Sequence, residues 1–328
     1  MHFRTKILAA VVLLGLAIFW SRTQGAGSDE IPDHHSRLKI TTHRGERDCL
    51  IHIPASCDKS KPTPLVIMLH GFGGTALNAA KETGWSAKAD EESFIIVYPE
   101  ATRADQSSPQ SFRKNPQAWN DGSGRFHASA QNTDDVAFIE AVIDQVSEKY
   151  AIDSDRIFVT GFSNGASMAF RIGAELSHRV SAIAPVAGTS WIEKPEPSHA
   201  ISVCYLTGTA DTLNPMNGGH PRMSFGGRDH GDRPKPAVQS LIDQWVQSLQ
   251  CSKIPRIDEI ANGVRKRVYG SGREQSEVVL ITIGGLGHHW PGGVRQISEF
   301  LVGQSNDTLN ATDVVWEFFK SRPTSKKQ

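Results

Sequence analysis

The chain has 328 residues, 38% of them hydrophobic and 21% charged, which is enough apolar matter for a packed core and argues against wholesale disorder. Lys plus Arg and Asp plus Glu both number 35, so no overall field draws the chain toward nucleic acid or an anionic membrane. No P-loop, no paired Cys-x-x-Cys zinc spacing and no repeat period is present.

The N-terminus has three parts: basic MHFRTK, the apolar run 7–20, and SRTQGAG ending in small residues. That layout predicts a secretory signal peptide over 1–27, with an uncleaved membrane anchor as the alternative. An exported chain can oxidise its cysteines. Cys49, Cys57, Cys204 and Cys251 allow three pairings, but Cys204 lies inside the apolar stretch ISVCYL, where a buried free thiol serves equally well.

Residues 28–44 read as a polar surface lead-in, and 45–322 as one domain followed by a basic tail, 323–328. CLIHIP and PLVIML read as strands, 76–88 as a helix, and FIIVYP as a strand. The polar stretch 101–133, with Trp119 in its middle, is long for a loop and is expected to be functional or mobile. DDVAFIEAVIDQVSEKY carries Val136, Ile139, Val142, Ile143, Val146 and Tyr150 at helical spacing, and Asp134 and Asp135 suit the start of that helix. A strand ending at Thr160 and a helix over 164–175 follow, then strands in SAIAPVAG and ISVCYLTG. The helix AVQSLIDQWVQSLQ, strands in KRVYG and EVVLITIG, and the helix TDVVWEFFKS close the pattern. Apolar strands separated by amphipathic helices predict an α/β fold with a mostly parallel sheet covered on both faces.

The segment VTGFSNGASM, 159–168, sets Ser163 between Gly161 and Gly165 where a strand turns into a helix. A side chain on such a strained turn is pushed out of the sheet, and bulk beside it would strike backbone. Three other segments follow strands: His70-Gly71-Phe72-Gly73-Gly74, Asp211, and His288 in GLGHHWPGG. Ser, Asp, His is the chain order of an α/β-hydrolase triad. A serine hydroxyl needs a base, the imidazole needs a carboxylate on its other nitrogen, and the oxyanion needs backbone donors. The N–H groups of Phe72 and Asn164 are the expected donors.

VTGFSNGASMAFRI, APVAGT, GTAD, DDVAFI and GLGHHWPGG together resemble the secreted esterases of the polyhydroxybutyrate depolymerase/feruloyl esterase group, over roughly 47–320. The resemblance implies an α/β-hydrolase of carboxylic esters without cofactor or metal, with His288 as base and His289 in the motif's variable place. Its substrate is then an oligomeric hydroxyester or a polysaccharide-linked feruloyl or acetyl ester, with no nucleic-acid or stable membrane partner. Members often carry a second cysteine where this chain reads VYGSG, and the charged insertion 218–234 is longer than the family pattern.

Competing assignments follow from single residues. Asp229 and Asp232 rival Asp211 as the acid, and His220, Asp229, His230 and Asp232 suggest a metal site but match no rigid zinc spacing. Ser167 reads as packing and Asn310 as a helix cap. Trp290 and Trp119 are expected to line the substrate pocket. A serine peptidase of the same fold and a non-catalytic carbohydrate- or surface-binding relative are the alternatives. With no Ser/Thr/Pro linker or binding module in the sequence, soluble esters are expected over crystalline polymer.

Overall fold

The computed structural model describes residues 35–58, 60–221 and 233–322. The signal segment, most of the charged insertion with Asp229, His230 and Asp232, and the tail lie outside the described residues.

The chain forms strands β1 (His35–Thr42), β2 (Gly45–His52), β3 (Thr63–Leu69), β4 (Ile95–Pro99), β5 (Thr102–Arg103), β6 (Gln117–Ala118), β7 (Ile152–Phe162), β8 (Ala182–Val186), β9 (Ser202–Gly208), β10 (Arg256–Ala261), β11 (Val264–Tyr269) and β12 (Val278–Ile283). The helices are α1 (Ala76–Thr83), α2 (Trp85–Glu92), α3 (His127–Ala130), α4 (Asp135–Lys149), α5 (Asn164–Glu175), α6 (Val238–Ser248), α7 (Glu299–Val302) and α8 (Ala311–Lys320). Ten strands form one sheet in the order β1-β2-β4-β3-β7-β8-β9-β12-β11-β10. The six from β4 to β12 run parallel, and antiparallel strands close both ends.

Side chains alternate across the sheet and define two cores. Leu65, Ile67 and Leu69 of β3 pack on one face with Phe138, Val142 and Val146 of α4, Phe170 of α5 and Trp245 of α6. Val66 and Met68 of the same strand pack on the other with Trp85 of α2 and Trp316 and Phe319 of α8. The continuous Val/Ile/Leu runs are thus buried on both sides, as parallel strands between helices require.

Three differences from the sequence reading have local causes. The single helix expected over 76–88 is two, because Gly84 adopts φ 71° and caps the first in the left-handed region. The expected surface lead-in contains β1, an edge strand whose only fully buried side chain is Ile40. β10 escaped notice for the same reason: Arg256, Asp258 and Glu259 give an open edge the charge that discourages further pairing.

The 101–133 stretch is built rather than loose. β5 pairs with β6, and Asp135 of α4 receives Arg47 at 2.6 Å and the Asn120 N–H at 2.7 Å, tying the stretch to β2. Asp134 caps α4 through the Ala137 N–H, and Asn310 caps α8. All four cysteines are free thiols. A Cβ at Gly272, within VYGSG, would stand 2.6 Å from the Cys251 sulfur and 2.4 Å from Ser276 Oγ.

Packing is very tight where α5 meets β3. A Cβ on Gly165 would fall 2.1 Å from the Leu69 carbonyl oxygen and 2.5 Å from that of His70. Backbone cannot yield as a flexible side chain can, so Gly165→Ala is expected to cost about 3 kcal/mol or more. A denaturant midpoint equal to that of the wild type would contradict this packing.

Candidate active site

Because β3, β7, β8, β9 and β12 are parallel neighbours, the segments that follow them emerge at one edge of the sheet. Ser163 follows β7, Asp211 follows β9, His288 follows β12, and the glycine-rich 70–74 segment follows β3.

Ser163 has φ 55° and ψ −115°, a strained combination that an L-residue holds only when its surroundings dictate it. They do. Its N–H donates to Val186, a Cβ on Gly161 would strike the Gly165 carbonyl at 2.4 Å, and one on Gly188 would strike the Ser163 carbonyl at 2.6 Å. Three glycines therefore let β7, α5 and the turn after β8 close around one half-buried serine.

The Ser163 Oγ lies 2.8 Å from His288 Nε2, and His288 Nδ1 lies 2.7 Å from Asp211 Oδ2. A carboxylate only accepts, so Nδ1 carries the proton and leaves Nε2 of the neutral ring to accept from the hydroxyl. Asp211 Oδ1 is occupied by the N–H groups of Leu213 at 2.8 Å and Asn214 at 2.7 Å. Burial alone would push the Asp211 carboxyl up. Its partners His288, Asn214 and Lys235 outweigh that and hold it below the ordinary carboxylate range.

The two loops that carry these groups are joined backbone to backbone. Thr209 and Ala210 donate to Ile283 and Leu286, and a Cβ on Gly208 would come 2.1 Å from the Leu286 oxygen. His288 donates its own N–H to Val302. The neighbouring His289 points elsewhere: its Nε2–H donates to the Gly303 carbonyl at 2.8 Å, which braces the loop from behind.

Asn164 opens α5, so its N–H is one of the first-turn donors that intrahelical bonding leaves over. Gly71 lies against Ser163, a Cβ there being 3.4 Å from the serine Cβ, which brings the neighbouring Phe72 backbone close to Ser163. The Phe72 ring stacks on Phe126 at 4.7 Å. His70 fixes this loop. Its Nε2 accepts from the Ala101 N–H at 3.1 Å, so Nδ1 donates to the Gly71 carbonyl at 2.8 Å.

Two expected pocket residues take other roles. Trp119 is 0% exposed and donates through Nε1 to the His70 carbonyl, so it supports the glycine-rich loop instead of lining a pocket. Trp290 is likewise buried, donating to Thr312 of α8 and anchoring the His288 loop. Both corrections have one cause: each indole is large enough to bridge a loop to the core, and each N–H finds a partner there. Ser167 accepts from the Thr189 N–H, in keeping with packing. No cluster of three or more metal-ligating side chains occurs among the described residues.

Sequence reasoning missed the layer behind these groups. Asn164 donates its side-chain amide to Asp121 at 2.8 Å and accepts from the Trp119 N–H. Asn214 joins Asp211, Thr189 and Tyr205. Only the D-x-x-N spacing of Asp211 and Asn214, an Asx-type turn, left any trace in the sequence.

The strand order and the Ser, Asp, His positions at the strand ends define an α/β-hydrolase. The chain belongs to the Phospholipase/Carboxylesterase family, which it matches over residues 53–219. NocK of Nocardia uniformis subsp. tsuyamanensis, named as an esterase, is 27% identical over 269 residues, covering 78% of this chain and 73% of that one. Poly(3-hydroxyalkanoate) depolymerase C of Paucimonas lemoignei is 25% identical over 262 residues, covering 76% of this chain and 60% of its own length. Among solved structures, an acetyl xylan esterase from Aspergillus awamori superposes with a TM-score of 0.57 at 16% identity, over 87% of this chain and 99% of that one, which speaks for the fold. The protein is a carboxylic ester hydrolase.

Burial pushes His70 down to about 4 from its ordinary value near 6.5. The unfolded chain therefore takes up a proton at this position that the folded chain refuses until about pH 4, so stability is lost as pH falls through that window. The loss attributable to this group approaches about 3 kcal/mol. Denaturant midpoints between pH 7 and 4.5 should fall less steeply in His70→Asn than in the wild type; equal slopes would assign the acid sensitivity elsewhere.

Proposed function

We propose that the chain is a secreted serine esterase working through an acyl-enzyme, with Ser163 as nucleophile, His288 as general base and acid, and Asp211 as the orienting carboxylate. The unbroken line of short hydrogen bonds from Asp211 through His288 to Ser163 carries this reading. His288 Nε2 takes the Ser163 proton as Oγ attacks the ester carbonyl, while Asp211 stabilises the imidazolium. The N–H groups of Phe72 and Asn164 receive the oxyanion. Collapse of the tetrahedral intermediate expels the alcohol with the proton from His288, and a water activated by the same nitrogen releases the acid.

The substrates in this reading are hydroxyalkanoate oligomers or feruloyl and acetyl side-chain esters. The depolymerase named above and the feruloyl esterase D of Neurospora crassa, which is 22% identical over 324 residues, support that class. Export rests on the basic, apolar and small-residue layout of 1–27. No helix among the described residues is long and apolar enough to cross a membrane.

Ser163→Ala and His288→Ala should each fold and lose on the order of 10⁶ in kcat toward a short nitrophenyl ester. Asp211→Asn should lose roughly 10⁴, because the amide fixes the wrong imidazole tautomer. Near-normal turnover by Ser163→Ala would remove the assignment. Rates on hydroxybutyrate oligomers, methyl ferulate and acetylated xylan then separate the substrate classes.

A further inference from the structure

Lys235 is 9% exposed, and among the described residues its ammonium hydrogen-bonds the Asn214 Oδ1 at 3.2 Å. Its backbone is clamped by paired bonds to Gly219, each 2.9 Å, which hold the side chain in place. A buried ammonium is costly unless carboxylates compensate it. Two act on it here: Asp211 beside His288, and Asp121, which holds the Asn164 amide.

Asn214 is the junction. Its Oδ1 accepts from Lys235 and from Thr189 Oγ1 at 2.6 Å, which fixes the amide so that Nδ2 donates to the Tyr205 hydroxyl at 2.7 Å. Tyr205 donates onward to the Gly188 carbonyl, and Gly188 packs against Ser163. The Asn214 N–H meanwhile occupies Asp211 Oδ1, which leaves Oδ2 for His288. Asn214 thus links the buried cation to the serine turn through its side chain and to the carboxylate through its backbone N–H.

We propose that Lys235 is a positioning residue for the ester-hydrolysing site: it orients Asp211 through Asn214, and its charge keeps the His288 imidazole in the neutral, proton-accepting form. This rests on the Ser163–His288–Asp211 reading. The charges that face the ammonium are Asp211, with His288 beyond it, and Asp121 and Arg125 from the 101–133 stretch. Arg233, two residues before it, is turned to Trp191 and Glu193. Burial, then Arg125, push Lys235 down to about 7, against Asp211 and Asp121. Lys235 therefore gains its charge as pH falls through about 7.

The test is the pH dependence of kcat/KM in Lys235→Met, measured on the full chain with a short nitrophenyl ester. A unit charge in a partly screened interior acts on a nearby titration by an amount on the order of half a pH unit. The expected result is an acid limb displaced upward by that amount, with kcat reduced about tenfold and KM within about twofold. Lys235→Arg should return the limb toward the wild type. An acid limb unmoved in Lys235→Met would overturn the proposal, whatever its kcat. If Lys235→Met fails to accumulate, the same comparison between Lys235→Gln and Lys235→Arg gives the answer. Turnover retained by Ser163→Ala would instead overturn the underlying site reading, so the two failures are distinct.

Discussion

The structure depends on how closely three backbones approach one another around Ser163. The end of β3, the start of α5 and the turn after β8 meet at Gly165, Gly161 and Gly188, where an added Cβ would strike the carbonyls of Leu69, Gly165 and Ser163. That contact forces the positive φ of Ser163 and projects its hydroxyl away from the sheet. The helix start that results also presents the Asn164 N–H beside the same hydroxyl. A sheet of parallel strands supplies the rest, since it delivers the ends of β3, β7, β9 and β12 to one edge.

Charge is arranged around this contact in buried opposites. Asp211 and Asp121 are each almost completely enclosed, and Lys235 and Arg125 stand against them. A carboxylate held ionised by fixed donors is a better partner for an imidazolium than one that must first shed water. The polar layer behind the site consequently has two tasks, fixing geometry and fixing protonation. Neutral His70 does only the first, bracing the glycine-rich loop through one donor and one acceptor.

Much of this was legible in the sequence because the chemistry is local. The Gly-x-Ser-x-Gly turn, the glycine-rich segment after a strand and the His-His-Trp-Pro-Gly-Gly loop each announce a backbone requirement within ten residues. The central strands were equally plain, since burial on two faces leaves unbroken apolar runs. Edge strands β1 and β10 were not, because one exposed face and an open edge favour the charges that disguise a strand. Trp119 and Trp290 were misjudged because an aromatic near a site by sequence can face either core or cleft, and the direction is set by tertiary packing. Lys235 gave no signal at all: a lysine between two prolines reads as solvent-exposed, and only the fold brings Asn214 and Asp211 to it.

Everything proposed for the chemistry of the site turns on Ser163 being the hydroxyl activated by His288 and Asp211. Treating the protein with a fluorophosphonate and mapping the adduct by mass spectrometry tests that claim without any choice of ester. A single adduct on Ser163, forming more slowly as pH falls and almost absent in His288→Ala, is the predicted result. An adduct on Ser167 or another serine, or equal labelling of the His288→Ala protein, would contradict it.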